Sequence, residues 1–164
     1  MRKTILIILA LLFPALLAAE EFVIPNTLDS FCWVELGCNI ASLPNIISEI
    51  PNQDGTVTVK FKTAESFSGF TNYYGIATAG KVNVVVAEKQ LTQSAEKEED
   101  ELTAIKETRR IANMAKKAYC KDKVKWENNA FEKAVFEFEN GNLTVRRYQE
   151  DNCYWAEVKA TIKE

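Results

Sequence analysis

SAEKEEDELTAIKETRRIANMAKKAYC, Ser94 to Cys120, is the long stretch of this chain whose polarity repeats with a helical period. At about 100° per residue, Ala104, Ile105, Thr108, Ile111, Ala112, Ala115, Ala118 and Tyr119 fall on one arc. Lys106, Arg109, Arg110, Asn113, Lys116 and Lys117 fall on the other, and Leu102 lies off the apolar arc. An arc of alanines lets a helix backbone lie close against a flat partner, which a sheet supplies. Ser94 is the expected N-cap, with no glutamate at the capping-box position because Lys97 stands there. Glu96, Glu98, Glu99, Asp100 and Glu101 crowd the amino end, and Lys116 and Lys117 the carboxyl end. Each such charge gains about 0.3–1 kcal/mol from the helix dipole before screening, so the segregation has a structural cause.

Strand patterns flank this helix. Thr56–Lys62 alternates, with Val57, Val59 and Phe61 on one face. Tyr73–Thr78 and Val82–Glu88 follow, with Ala79-Gly80 between them. After a polar connection over Lys121–Asn129 that carries Trp126, three more strands are expected: Ala130–Glu139, Asn142–Gln149 and Cys153–Ile162. Asn140-Gly141 is the strongest hairpin signal. The last strand places Tyr154, Ala156, Val158, Ala160 and Ile162 on a core face and Trp155, Glu157, Lys159 and Thr161 on a solvated one. Strands before one long helix and a meander after it predict an α+β fold, an antiparallel sheet packed on one amphipathic helix.

Upstream, Arg2 and Lys3, the apolar run Ile5–Leu12, Pro14 and LLAA (Leu16–Ala19) read as a signal peptide over residues 1–19, cleaved after Ala18 or Ala19. The run is shorter than the ~20 residues of a membrane span, so a membrane tie is expected only through an uncleaved leader. Removal leaves about 145 residues, enough for one domain with a sizeable core. Residues 20–55 form a lead-in with a disulfide loop and a short helix over Leu43–Ile50, capped by Ser42 and burying Ile46, Ile47 and Ile50. Residues 56–164 form the α+β domain, packed with that lead-in. The net charge of −3 becomes −5 without Arg2 and Lys3, which disfavours a nucleic-acid partner.

Cys32, Cys38, Cys120 and Cys153 all follow the leader. An even count in an exported chain argues for two disulfides, and Cys32–Cys38 with Cys120–Cys153 is the preferred of three connectivities. Zinc lacks the paired close spacings it needs, and the chain has no histidine. That absence also removes imidazole-dependent nucleophile activation. No phosphate loop, dinucleotide fingerprint or serine elbow is present, so no cofactor or metal is expected.

YYGIATA (Tyr73–Ala79), the alanine-rich helix and CYWAEVKATI (Cys153–Ile162) together resemble the β-β-α-β-β unit of small bacterial envelope lipoproteins and of periplasmic modules in flagellar basal-body assembly. The resemblance spans roughly residues 70–162 and implies a structural or adaptor role in the cell envelope. The lipid-attachment cysteine of the lipoprotein members is missing here.

The expected function is a small exported, non-enzymatic binding or adaptor protein, periplasmic or secreted, with a protein or envelope component as partner. Its candidate contact region is SFSGFTNYYG (Ser66–Gly75), with Phe67, Phe70, Tyr73 and Tyr74 among small polar residues. The favoured reading of the same segment is that Phe67, Phe70 and one tyrosine plug the core beneath the loop. Used as an inserting loop, the segment would make a secreted hydrolase inhibitor. A third reading is an enzyme using carboxylates alone, from among Glu132, Glu137, Glu139, Glu150 and Asp151. Arg109, Arg110, Lys116 and Lys117 form a basic patch toward an acidic partner, or simply a solvated helix face.

Overall fold

The computed structural model describes residues 26–163 apart from 65, 122 and 129–131; the expected leader lies outside these residues. A hairpin of β1 (Ser30–Phe31) and β2 (Val34–Glu35) opens the chain, followed by a 3-10 turn over Ile40–Ser42. Then come β3 (Ile46–Pro51), β4 (Val57–Phe61), β5 (Asn72–Thr78) and β6 (Lys81–Gln90). Helix α1 (Glu98–Ala118) precedes β7 (Lys125–Asn128), β8 (Glu132–Phe138), β9 (Gly141–Glu150) and β10 (Cys153–Ile162). The eight strands β3 to β10 form one antiparallel sheet in the order β3-β4-β5-β6-β10-β9-β8-β7. Two four-stranded meanders, one on each side of the helix in sequence, therefore meet at the central pair β6–β10.

The alanine arc explains the layer. Ala104, Thr108, Ile111, Ala112 and Ala115 are buried, and α1 lies across β8, β9 and β10. Beneath it stand Ala134, Phe136 and Phe138 of β8, Leu143 and Val145 of β9, and Ala156, Val158 and Ala160 of β10. The other half of this face is covered by the lead-in. Leu28, Phe31, Val34, Leu36 and Leu43 join one core with Val59, Phe61, Tyr73, Ala77, Val82 and Val85. The opposite face of the sheet has no covering element among those described.

Local chemistry moved several boundaries. The helix starts at Glu98, after Lys97 at the N-cap position, and Ser94 instead accepts the Glu96 N–H at 3.1 Å in the preceding turn. The Asn140-Gly141 hairpin is present, but Phe138 pairs with Gly141, so the two turn residues are Glu139 and Asn140. Asn140 clamps the lead-in, accepting the Leu28 N–H at 2.7 Å and donating to the Leu28 carbonyl at 3.2 Å. Gly141 has a different reason to be glycine: a Cβ there would fall on the Thr161 carbonyl oxygen of β10.

Two expectations are overturned. Leu43–Ile50 is not a helix; Ile46–Pro51 is an edge strand, with Ile46, Ile47 and Ile50 exposed. β-branched residues fit an extended backbone, and β4 offers a free edge beside them. The two disulfides are also absent: all four cysteines are free. Cys120 follows the carboxyl end of α1, while Cys153 Sγ lies 3.5 Å from the Gln93 carbonyl, ahead of its amino end. The 21-residue helix between them spans about 30 Å, and a disulfide needs Cα atoms within ~7 Å. Cys32 sits in the two-residue turn of the β1–β2 hairpin, with φ of 50° followed by 63° at Trp33. Burial pushes its thiol up to about 12.

Candidate functional site

The uncovered face of a sheet ordinarily carries separate solvated side chains. Here strand parity and register gather a cluster. Glu88 on β6 stands directly opposite Glu157 on β10, which stands opposite Arg146 on β9. Trp155 stands opposite Tyr148 in the neighbouring row, and Tyr74 of β5 stands opposite Val86 of β6. All these residues share the face away from the helix.

Each group has a defined partner. Arg146 donates to both carboxylate oxygens of Glu157, from Nε at 2.7 Å and Nη2 at 2.8 Å. Its guanidinium also lies 5.4 Å from the centroid of the Tyr148 ring. Tyr148 in turn stacks on Trp155, centroids 6.4 Å apart and planes 18° from parallel. The hydroxyls of Tyr74 and Tyr148 both donate to Glu88 Oε1, at 3.2 and 3.0 Å. Trp155 Nε1 is buried without a hydrogen-bond partner. Glu157, expected on a solvated side, is only 4% exposed. The pairing with Arg146 makes that burial tolerable, because a buried carboxylate without a cation would be far costlier.

Burial raises the Glu88 carboxyl above its ordinary range, opposed by the two tyrosine hydrogen bonds and reinforced by Glu157 and Glu150. Burial first and the Glu88 charge second raise the hydroxyls of Tyr74 and Tyr148. The hydrogen bonds to Glu157 raise Arg146. Within the cluster Arg146 neutralises Glu157, and both tyrosines stay protonated.

Beside it, toward β3, opens a cleft of about 460 Å³ lined by Ile47, Lys60, Lys62, Asn72, Tyr74 and Glu88 among others. The outer wall depends on a bulge. Ile46 pairs with Phe61 and Ser48 with Lys60, leaving Ile47 as the extra residue. Such a bulge re-aims a side chain, and Ile47 is turned onto the open face.

The sequence-predicted contact residues are divided by the sheet. Phe70 and Tyr73 are 1% and 6% exposed and belong to the core, with Phe67 packed against it. The Tyr73 hydroxyl ties their loop, donating to the Phe70 carbonyl at 3.1 Å and accepting the Phe67 N–H at 2.9 Å. Lys89 and Arg110 pin the same loop through Ser68, at 3.2 and 3.0 Å. Tyr73 and Tyr74 both border the cleft, Tyr73 from its core position and Tyr74 as a half-buried residue of the open face.

The basic patch is largely spent on neighbours. Arg109 pairs with Glu132. Arg110 donates twice to Glu107, which also holds Lys89 at 2.6 Å. Those contacts, the Arg110 hydrogen bond foremost, pull the Glu107 carboxyl down to about 2. Lys116 is half-buried in a groove with Trp126, and Lys117 is exposed. Of the carboxylates considered for catalysis, Glu137, Glu139, Glu150 and Asp151 are exposed, and Glu132 is bound to Arg109.

Sequence reasoning missed Glu88, Arg146 and Tyr148 as a group. Their strands alternate correctly, but the pairing of β6 with β10 that unites them is long-range. Among the described residues, no group of three or more His, Cys, Asp or Glu side chains is placed to hold a metal, and no helix is long and apolar enough to cross a membrane.

No protein-family model, curated protein or solved structure matches this chain. The resemblance to envelope lipoproteins therefore rests on the order of its elements and on the quoted segments.

Proposed function

We propose that this is an exported, non-enzymatic binding or adaptor protein of the cell envelope, and that it engages its partner through the open face of the sheet. The observation that carries the reading is the cleft lined by Lys60, Tyr74 and Glu88, set beside a half-buried cluster that fixes two of those three side chains. Pre-organised side chains on rigid strands lower the ordering penalty of binding. The basic start and apolar run of residues 2–12 support export.

The test is co-sedimentation of the purified mature protein with an envelope fraction from its own host. Wild type is expected to sediment. Tyr74→Ala combined with Lys60→Glu is expected to stay in the supernatant while still unfolding in one cooperative, somewhat lower thermal transition. A protein that never sediments, or a double variant that sediments like wild type, defeats the reading.

A second reading, hydrolysis by carboxylates alone, draws on one observation: Glu88, with its raised carboxyl, lines the cleft opposite Glu157. Against it, both Glu157 oxygens are held by Arg146 and the residue is buried. A hydrolase panel unchanged by Glu88→Gln removes it. The inhibitor reading draws no support from Phe70 and Tyr73, which lie in the core.

A further inference from the structure

Resting on that reading of the open-face cleft, we infer the chemistry of its ligand: a free amphipathic acid, with its anionic head on Lys60 and Lys62 and its apolar body between Ile47 and the Tyr74 ring. Three observations converge on this.

The first is the charge left over. Lys60 and Lys62 line the cleft and are exposed, and among the described residues no carboxylate forms an ion pair with either. Glu88, the carboxylate lining the cleft, is already occupied by two tyrosine hydroxyls. Counted over the described residues that line it, the cleft thus presents net positive charge on a chain whose formal charge is −3. Complementarity favours an anion there.

The second is the apolar wall. Ile47 is 59% exposed, and the bulge that turns it onto this face gives up a regular ladder position to do so. A bulge that swings a large apolar side chain over a cleft is explained by something apolar that fills the cleft. The third is size. A volume of about 460 Å³ lies within the ~300–1,000 Å³ range of small-molecule pockets and is far below what a folded partner would occupy. Tyr74 is held by Glu88 at 3.2 Å, so its ring is a fixed surface.

The probe is dansyl-undecanoic acid, followed by fluorescence, against its uncharged methyl ester. The acid is expected to bind at least about tenfold tighter than the ester, a difference of ~1.4 kcal/mol. Lys60→Gln/Lys62→Gln should erase that preference, and Ile47→Ser should weaken acid and ester alike. Unchanged near-ultraviolet circular dichroism certifies the fold of each variant. Equal binding of acid and ester, or full affinity in the double lysine variant, overturns the inference. So does binding to phosphatidylglycerol vesicles without binding of the free acid, which would mark a lipid surface. If the acid fails while wild type still sediments with the envelope fraction and the Tyr74/Lys60 variant does not, the ligand class is wrong and the binding function stands.

Discussion

Glu88 and Glu157 face each other across β6 and β10, and their surroundings treat them oppositely. Arg146 holds Glu157 by both oxygens, whereas Glu88 receives only neutral tyrosine hydroxyls on one oxygen. Like charges directly opposite on adjacent strands are destabilising unless one is neutralised. The guanidinium does this for Glu157, while burial and the neighbouring Glu157 charge raise the Glu88 carboxyl above its ordinary range.

Glu88→Gln therefore gains stability over wild type as pH rises. The folded state holds the Glu88 proton to a higher pH than the unfolded chain does. Stability tied to that proton is complete below the unfolded value of about 4.3 and is lost as pH climbs through the raised folded value. The two proteins should melt alike near pH ~4, and the variant about 2 °C higher at pH ~7. A variant that is less stable at neutral pH would show that the charged carboxylate is the favoured form.

Arg146→Met leaves Glu157 buried without its cation. With the arginine itself half-exposed, the expected loss is about 2 kcal/mol, below the 3–5 kcal/mol typical of fully buried pairs. Adding Glu157→Leu should restore more than half of it. Urea unfolding of the two single variants and the double one measures the coupling, and additive losses would deny it.

Gly141→Ala places a methyl group on the Thr161 carbonyl at the β9–β10 pairing. The strands must part, at an expected cost of about 2 kcal/mol, read as a fall of roughly 4–8 °C in Tm. An unchanged Tm would mean that the β9–β10 pairing at this end does not require the close approach of Gly141 to Thr161.

The thiols provide a direct check on the absent disulfides. All four should titrate in denaturant without reductant. In the native protein, Cys120 is exposed and should react first, and Cys32 should resist until unfolding. No reactive thiol in place of four would restore the two cross-links that the cysteine count suggested, and two equivalents would restore one of them.

The helix and most of the sheet are legible from the sequence because their signals are local. Alanine at helical spacing and alternation in β4, β5, β6, β8, β9 and β10 each need only a short window. β3 and β7 are not legible. Pro44 and three isoleucines read equally well as a capped helix, and only the free edge of β4 decides between them. β7 is four residues of polar sequence whose strand character comes from pairing with β8. The site was half legible: parity put Trp155 and Glu157 on one face, but solvation was the wrong environment for them. Their cover comes from Arg146 and Tyr148, brought alongside by register. The aromatic loop misled for the opposite reason, since one residue of register separates Tyr73 in the core from Tyr74 on the cleft.

The seam between β6 and β10 has a consequence for how the molecule assembles. Its halves are local hairpins, quick to form, but the join between them waits for the final strand, which lies at the middle of the sheet. Until that strand docks, β6 and β9 each expose an open hydrogen-bonding edge, and the alanine rod rests on β8 and β9 alone. A polypeptide of this design can close its sheet only once β10 is free to slide between strands that were made before it.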